Sequence, residues 1–386
     1  MKRLLITLTF PPDVGGMQSF AYQRCLRAGD EPVVLAPWHP GSDEFDAIQP
    51  FPVLRWRPFL GSVPGLKRLG QLLQPLPLAV QLLRQGGFDA IECWQPLPLG
   101  LTAWLLKCIY HLPVIIWSHG SDLLRVQRLP GGRAVLRWTL SQADWLIANS
   151  KATQVQMERL GQDPARIRVI HPPVEYERFH PEVDPTPIRV RHAVGDAPII
   201  LTVARLVEKK GIDSVLRALP SVLHAVPEVR YLIIGDGPLR LQLQALAKEL
   251  GVAKHVLFVG AVEHNDPDLP RYYSACDVYV MPSRPLPSHG EVESFGMVYL
   301  EAGACGKPVV AGRGGGVEEA VEDGVTGLLV DPLDVNEIAN AIVRVLEDEE
   351  LARRLGENGR KRAMRQPDWA LLGALIRGRE CVKSNG

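Results

Sequence analysis

The sequence predicts an α/β protein made of two doubly wound, parallel-sheet domains. Three observations predict it. Short apolar runs recur along the chain with amphipathic helical stretches between them, the alternation that lays strands parallel. That alternation stops at a proline-rich, charged stretch, HPEVDPTPIRVRHAVGDAP (180–198), and then restarts. A length of 386 residues is enough for two or three domains, each with a core of its own.

The elements follow in order. RLLITLTF (3–10) comes after Lys2 and has the outline of a secretory leader. Its apolar run is short, ends at Pro11-Pro12 and lacks a small-residue cleavage site, so it reads as the first strand. MQSFAYQRCLRAG (17–29) is the helix after it. PVVLAP (32–37), FDAIEC (88–93), PVIIWS (113–118), DWLIANS (144–150) and IRVIHPP (167–173) read as further buried strands. Beyond the 180–198 linker come PIILTVARL (198–206), VRYLIIGDG (229–237), HVLFVGAV (255–262), CDVYVMPS (276–283), KPVVAG (307–312) and TGLLVDP (326–332). The expected division is residues 1–185, residues 186–365, and a final helix over 366–386 whose apolar start, QPDWALL, would pack back across a cleft between the halves. In such sheets ligands sit outside the carboxyl ends of the strands.

Composition narrows the function. Hydrophobic residues make up 46% and charged residues 22%, as in soluble globular proteins. Lys+Arg and Asp+Glu balance at 43 each, so no overall field points to nucleic acid. Locally the balance fails: from Arg57 to Arg137 nine basic residues face only Asp89, Glu92 and Asp122. The six cysteines (25, 93, 108, 276, 305, 381) show no paired spacing, which suits reduced thiols in a cytoplasmic protein. No run reaches the roughly 18 apolar residues of a spanning helix.

Several motifs sit where strands end. Gly15 and Gly16, in GGM, open a helix after strand one and let backbone N–H groups approach a phosphate; a plain tight turn is the competing reading. GDGPLR, with Gly235, lacks the third glycine of a dinucleotide fingerprint, which argues against a nicotinamide cofactor. HGSD, with His119 and Asp122, follows another strand and places a histidine able to donate to a ligand oxygen. RLVEKKG supplies Arg205 and Lys210, a guanidinium and an ammonium suited to a diphosphate; solvated surface charge is the alternative. GEVESFGMVYLEAGACGKPVVAG (290–312) places Glu293 before a helix expected to start near Ser294–Phe295, and Glu301 about two turns along it. Carboxylates accept paired hydrogen bonds from vicinal hydroxyls, and a helix N-terminus between them attracts phosphate. GRGGGVEEA (312–320) looks like a second phosphate-type turn. DPD (266–268) lacks the clustered ligands of a metal site.

Taken in order and spacing, PPDVGGMQSF, WSHGSD, VARLVEKKG, IIGDGP, MPSR and the Glu-x(7)-Glu block resemble the retaining glycosyltransferases of family 4, nearly end to end. The resemblance implies the GT-B fold, two Rossmann-like domains facing across a cleft, and is nearest to bacterial mannosyl- and glucosyltransferases acting on lipids or cell-surface glycans. It implies that Gly15 and Gly16 lie in the loop meeting donor phosphate and acceptor, and that His119 contacts the transferred sugar. It implies that Arg205 and Lys210 neutralise the leaving diphosphate, that Glu293 holds sugar hydroxyls and that Glu301 holds the ribose. Phe295, Gly296 and Met297 would supply the turn and N–H groups near sugar and phosphates. Transfer would retain configuration, with the leaving phosphate helping to deprotonate the acceptor and no metal or other cofactor. The donor implied is GDP-mannose ahead of UDP-glucose. One departure is HPPVEYERF (171–179), where family members often carry an Asn-Gly-Val-Asp turn; it bears on the hinge rather than the chemistry.

Two other classes are weighed against this. A GT-B sugar-nucleotide epimerase would need carboxylates placed for proton abstraction, and a binding module would have no use for a diphosphate clamp. Residues 59–85, rich in leucine with Lys67, Arg68 and Arg84, could lie on an anionic membrane, placing the protein peripherally on its inner face. The competing reading makes those leucines the core face of two helices broken at Pro75 and Pro77.

Overall fold

Parallel strand pairing organises both halves of the chain. A computed structural model describes residues 1–13, 15–57 and 67–365. The first sheet holds β1 (Lys2–Ile6), β2 (Glu31–Pro37), β3 (Val53–Trp56), β4 (Ala90–Cys93), β5 (Val114–Ser118), β6 (Trp145–Ala148) and β7 (Ile167–Val169), in the order β3-β2-β1-β4-β5-β6-β7. The second holds β8 (Ile199–Val203), β9 (Arg230–Ile234), β10 (Val256–Gly260), β11 (Val278–Met281), β12 (Val309–Gly312) and β13 (Leu328–Val330), in the order β10-β9-β8-β11-β12-β13. All pairings within them are parallel.

In each sheet the winding reverses, between β1 and β4 and again between β8 and β11. The crevice outside the carboxyl ends at such a reversal is where doubly wound sheets bind ligands. The strands are apolar on both faces because helices cover both: every residue of β4, β5 and β11 is buried. Each of the twelve apolar runs read from the sequence contains a strand.

β3 was not anticipated. It is a four-residue edge strand, VLRW, with a charge in its middle. Arg55 carries its own explanation, since the guanidinium pairs with Asp46 and donates to the carbonyls of Pro37 and Pro11.

The stretch 180–198 is not a linker. It contains the helix Thr186–Arg191, and Val174, Phe179, Ile188 and Val194 belong to the core of the second half. Arg360 fastens the chain just before this stretch by donating to the carbonyls of Tyr176 and Phe179, and also to that of Ala304, at 2.8–3.0 Å. The two compact units accordingly divide between Pro172 and Pro173 rather than at 185/186. The helix expected over 366–386 lies outside the described residues.

A group of buried charges supports the first unit. Arg24, on the helix Gly16–Arg27, is fully buried and bonds Glu92 of β4 at 2.5–2.8 Å and Asp30 at 2.9 Å, while Arg3 of β1 pairs with the same two acids. Removing one member would leave a buried charge uncompensated, so the group fixes this helix on the sheet.

Candidate active site

In the second unit the site is assembled by the turns after β8, β9 and β11. After β8 the chain runs through Ala204–Arg205–Leu206 into the 3₁₀ turn Glu208–Lys210. That path is pinned by backbone bonds on one side, Ala204 N to Ile234 O at 2.9 Å and Leu206 N to Asp236 O at 3.0 Å. On the other side Arg284 N donates to Lys209 O at 2.8 Å. Gly235 explains itself here: a Cβ would stand 1.9 Å from the Ala204 carbonyl oxygen, and φ is +134°. The glycine lets the turns after β8 and β9 dock backbone to backbone.

Lys210 Nζ lies 2.5 Å from Glu293 Oε2, and both side chains are largely buried. Burial favours the neutral form of Glu293. The charges of Lys210 and Lys209, with hydrogen bonds from Lys210 and Ser283, outweigh it and hold the carboxyl below its usual range. Arg205, by contrast, is exposed and has no ion pair among the described residues. The two cations expected to act as one clamp therefore differ: Lys210 is already committed to Glu293, and Arg205 is available.

Glu293 is itself seated by the glycine-rich turn after β12. Gly316 N donates to Glu293 O at 2.9 Å, and a Cβ on Gly316 would lie 1.8 Å from Ser294 O. GRGGG thus has a packing role independent of any phosphate. The helix beyond begins at Met297, not at 294–295, because Gly296 caps it with φ of +90°. Glu301 consequently falls about one turn into the helix rather than two. Phe295 is buried in the core and anchors the loop through its ring, so only its backbone can serve a ligand.

Glu301 is 4% exposed. Its Oε2 accepts the Tyr273 hydroxyl at 2.6 Å, and its Oε1 is 4.0 Å from His264 Nδ1. Neither neighbour was legible in the sequence, since both approach from outside the Glu-x(7)-Glu block. Burial and the Glu301 charge together push the Tyr273 phenol well up, so it stays a donor.

In the first unit, Gly15 precedes the helix Gly16–Arg27, whose first turn has neither a side-chain cap nor an acid. Its leading N–H groups are the kind an anion can satisfy. After β5, His119 stacks on Trp94 with ring centroids 5.2 Å apart, and Trp94 stacks on Trp117 at 4.6 Å. Phe20 meets all three rings edge-on. Burial lowers the His119 pKa against the opposing pull of Asp122 and a hydrogen bond to the Trp94 backbone, so the imidazole is neutral at neutral pH. Asp122 accepts from Ser118 Oγ at 2.7 Å, from His119 N at 3.1 Å and from Leu123 N at 2.9 Å. It holds the turn that presents His119.

The DPD carboxylates are used locally: Asp266 accepts from Asp268 N, and Asp268 pairs with Arg191 and Arg271. Among the described residues no group of three or more His, Cys, Asp or Glu could hold a metal ion.

Comparison with known proteins shows the family and the fold. Residues 186–362 match the family described as glycosyl transferases group 1, and residues 14–178 match glycosyltransferase family 4. The chain is 34% identical over 380 residues to a GDP-mannose-dependent alpha-(1-6)-phosphatidylinositol monomannoside mannosyltransferase of Mycolicibacterium smegmatis, covering 97% of this chain and 96% of that one. It is 29% identical over 385 residues, with the same coverage, to a GDP-mannose-dependent monoacylated alpha-(1-6)-phosphatidylinositol monomannoside mannosyltransferase of Corynebacterium glutamicum. Among solved structures, Thermosynechococcus elongatus sucrose-phosphate synthase is 26% identical with a TM-score of 0.78, covering 100% of this chain and 98% of that one. Anabaena HepE in complex with UDP-glucose, 24% identical with a TM-score of 0.77 and full coverage of both chains, shares the fold. Two doubly wound domains with these relatives define a hexosyltransferase of the GT-B fold that uses a nucleotide sugar. Within that class, the chain belongs to glycosyltransferase family 4.

Proposed function

We propose that the protein transfers a mannosyl residue from GDP-mannose, with retention of configuration and without a metal, to a lipid-linked or cell-surface glycan. The observation that carries this reading is the 34% identity over nearly the whole chain to a GDP-mannose-dependent mannosyltransferase of a phosphatidylinositol mannoside. The site supplies the parts such a transfer needs. Arg205 and Lys210 balance the charge of the leaving diphosphate, Glu301 accepts from the ribose hydroxyls, and Glu293 accepts from the hexose. Gly235, Gly296 and Met297 shape the turns and backbone N–H groups around the phosphates. Gly15 and Gly16 offer N–H groups to a phosphate from the first unit, and neutral His119 can donate to the transferred sugar. Such a transfer needs no covalent nucleophile from the protein. The acceptor hydroxyl attacks the anomeric carbon as the C–O bond to the β-phosphate breaks, and its proton passes to the leaving phosphate oxygen.

Thermal denaturation with GDP- and UDP-sugars, in buffer containing EDTA, tests the donor. Ligand at about 100 times its Kd adds about 2.7 kcal/mol to apparent stability. GDP-mannose is expected to raise Tm more than UDP-glucose at equal concentration. A larger shift with UDP-glucose would replace the donor, and shifts abolished by EDTA would reinstate a metal.

The acceptor reading includes peripheral contact with the anionic inner face of the cell membrane. Residues 58–66 lie outside the described residues. The helix Leu76–Arg84 turns Ala79, Leu82 and Leu83 into the core, as the competing reading requires of it. The preceding helix Lys67–Leu73 differs, leaving Leu69 and Leu73 over 40% exposed one turn apart. Among the described residues no helix is long and apolar enough to cross a membrane. Surface attachment through Lys67–Leu73 predicts co-sedimentation with anionic liposomes that weakens with salt and in Lys67→Glu/Arg68→Glu. Absence of binding at low salt would leave a soluble acceptor, or one met away from the bilayer.

A further inference from the structure

We propose that His264 is the positioning residue of Glu301, holding its carboxylate for the ribose of the donor and tying nucleotide affinity to pH. The proposal rests on the reading of Glu301 as the ribose carboxylate and extends it to a residue outside the Glu-x(7)-Glu block.

The geometry is a bridge. His264 lies between β10 and the helix Asp268–Ala275. Its Nε2 is 3.0 Å from Glu175 Oε1, and its Nδ1 is 4.0 Å from Glu301 Oε1. The Phe179 ring backs it, with centroids 6.2 Å apart. The other Glu301 oxygen takes the Tyr273 hydroxyl. The Nε2 contact has hydrogen-bond length and the Nδ1 contact is an ion pair, so a neutral imidazole can serve Glu175 as a donor but only the imidazolium attracts Glu301. Glu175 stands in HPPVEYERF, the stretch where this chain departs from the family's Asn-Gly-Val-Asp turn.

The charged groups facing the ring are Glu175, Glu301 and Arg178. Burial works against the cation, but the Glu175 hydrogen bond and the Glu301 and Glu175 charges outweigh it and Arg178 together, so the pKa is raised. A raised histidine pKa means the cation is fully present below its ordinary value of about 6.5 and is lost as pH climbs through the raised one. With the proton gone, Glu301 loses the ion pair that orients it. An anionic nucleotide then meets two carboxylates with no cation between them.

Calorimetric titration of GDP, and of UDP in parallel, between about pH 6 and pH 9 tests this on wild type, His264→Asn, Glu175→Gln and Glu301→Ala, using the diphosphate that wild type binds more tightly. Wild-type affinity is expected to fall about tenfold across the range, the factor that goes with about one pKa unit of coupling. His264→Asn should bind about tenfold more weakly at the acid end and lack the step. Protonation of the nucleotide itself is common to both titrations and cancels between them. Glu175→Gln should keep affinity at the acid end and move the step to lower pH, which a merely structural contact would not do. Wild-type affinity and an unshifted step in His264→Asn and Glu175→Gln would overturn the inference while leaving the ribose reading intact. Wild-type affinity in Glu301→Ala would overturn both.

Discussion

Replacing Lys210 or Arg205 with alanine is expected to lower sugar transfer by roughly 10²–10³-fold, about 2.7–4 kcal/mol, as loss of one preorganised donor to developing charge does. The two variants should differ in stability. Arg205 is exposed and has no ion pair among the described residues, so its removal should leave unfolding within about 0.5 kcal/mol of wild type. Lys210 lies against Glu293, with side-chain exposures of 15% and 13%. Removing one partner of a buried pair costs about 3–5 kcal/mol, so Lys210→Ala should also melt earlier.

The pH dependence gives the sign. Glu293 has a lowered pKa, so its contribution to stability is present at neutral pH and is lost as pH falls through that lowered value. In Lys210→Ala burial prevails and raises the carboxyl pKa, so the sign reverses: the variant is destabilised at neutral pH and regains stability as pH falls through the raised value. Melting curves over pH together with initial rates check both parts. Near-normal rates in both variants would remove the diphosphate clamp. A dead Lys210→Ala beside a normal Arg205→Ala would leave Lys210 as no more than the counter-ion of Glu293.

That contrast between the two cations marks the limit of what sequence could show. RLVEKKG reports that Arg205 and Lys210 leave one strand end together, because strand and turn are local. It does not report that Lys210 reaches across to a carboxylate 83 positions away. The Glu-x(7)-Glu block was legible as two acids flanking a helix start. Its register was off because Gly296, the residue able to cap with positive φ, was read as part of the helix. The stretch 180–198 read as a linker since its prolines and charges outweigh Ile188 and Val194, the two side chains that enter the core. β3 was invisible for the related reason that an edge strand needs no apolar run. The neighbours of Glu301 gave no signal at all: Tyr273 looks like core, and His264 lies in a polar loop. Only the folded sheet brings them beside the acid.

The second large effect separates the acids. Glu301→Ala should weaken binding of the free nucleoside diphosphate about 10- to 100-fold or more, since each hydrogen bond to a charged group contributes about 1.5–3 kcal/mol. It also strands the Tyr273 hydroxyl, so a melting curve must accompany it. Glu293→Ala should act the other way on free nucleotide. It releases Lys210 from its carboxylate, and the diphosphate should bind at least as tightly as to wild type. Its loss should fall on turnover of the sugar donor, whose hydroxyls have lost their acceptor.

In the proposed function these two carboxylates grip opposite ends of one sugar nucleotide. The most direct measurement is the pair of calorimetric isotherms for free GDP on Glu301→Ala and Glu293→Ala. Binding is expected to be weakened at least tenfold in the first and undiminished in the second. Equal affinity in the two variants would contradict that assignment.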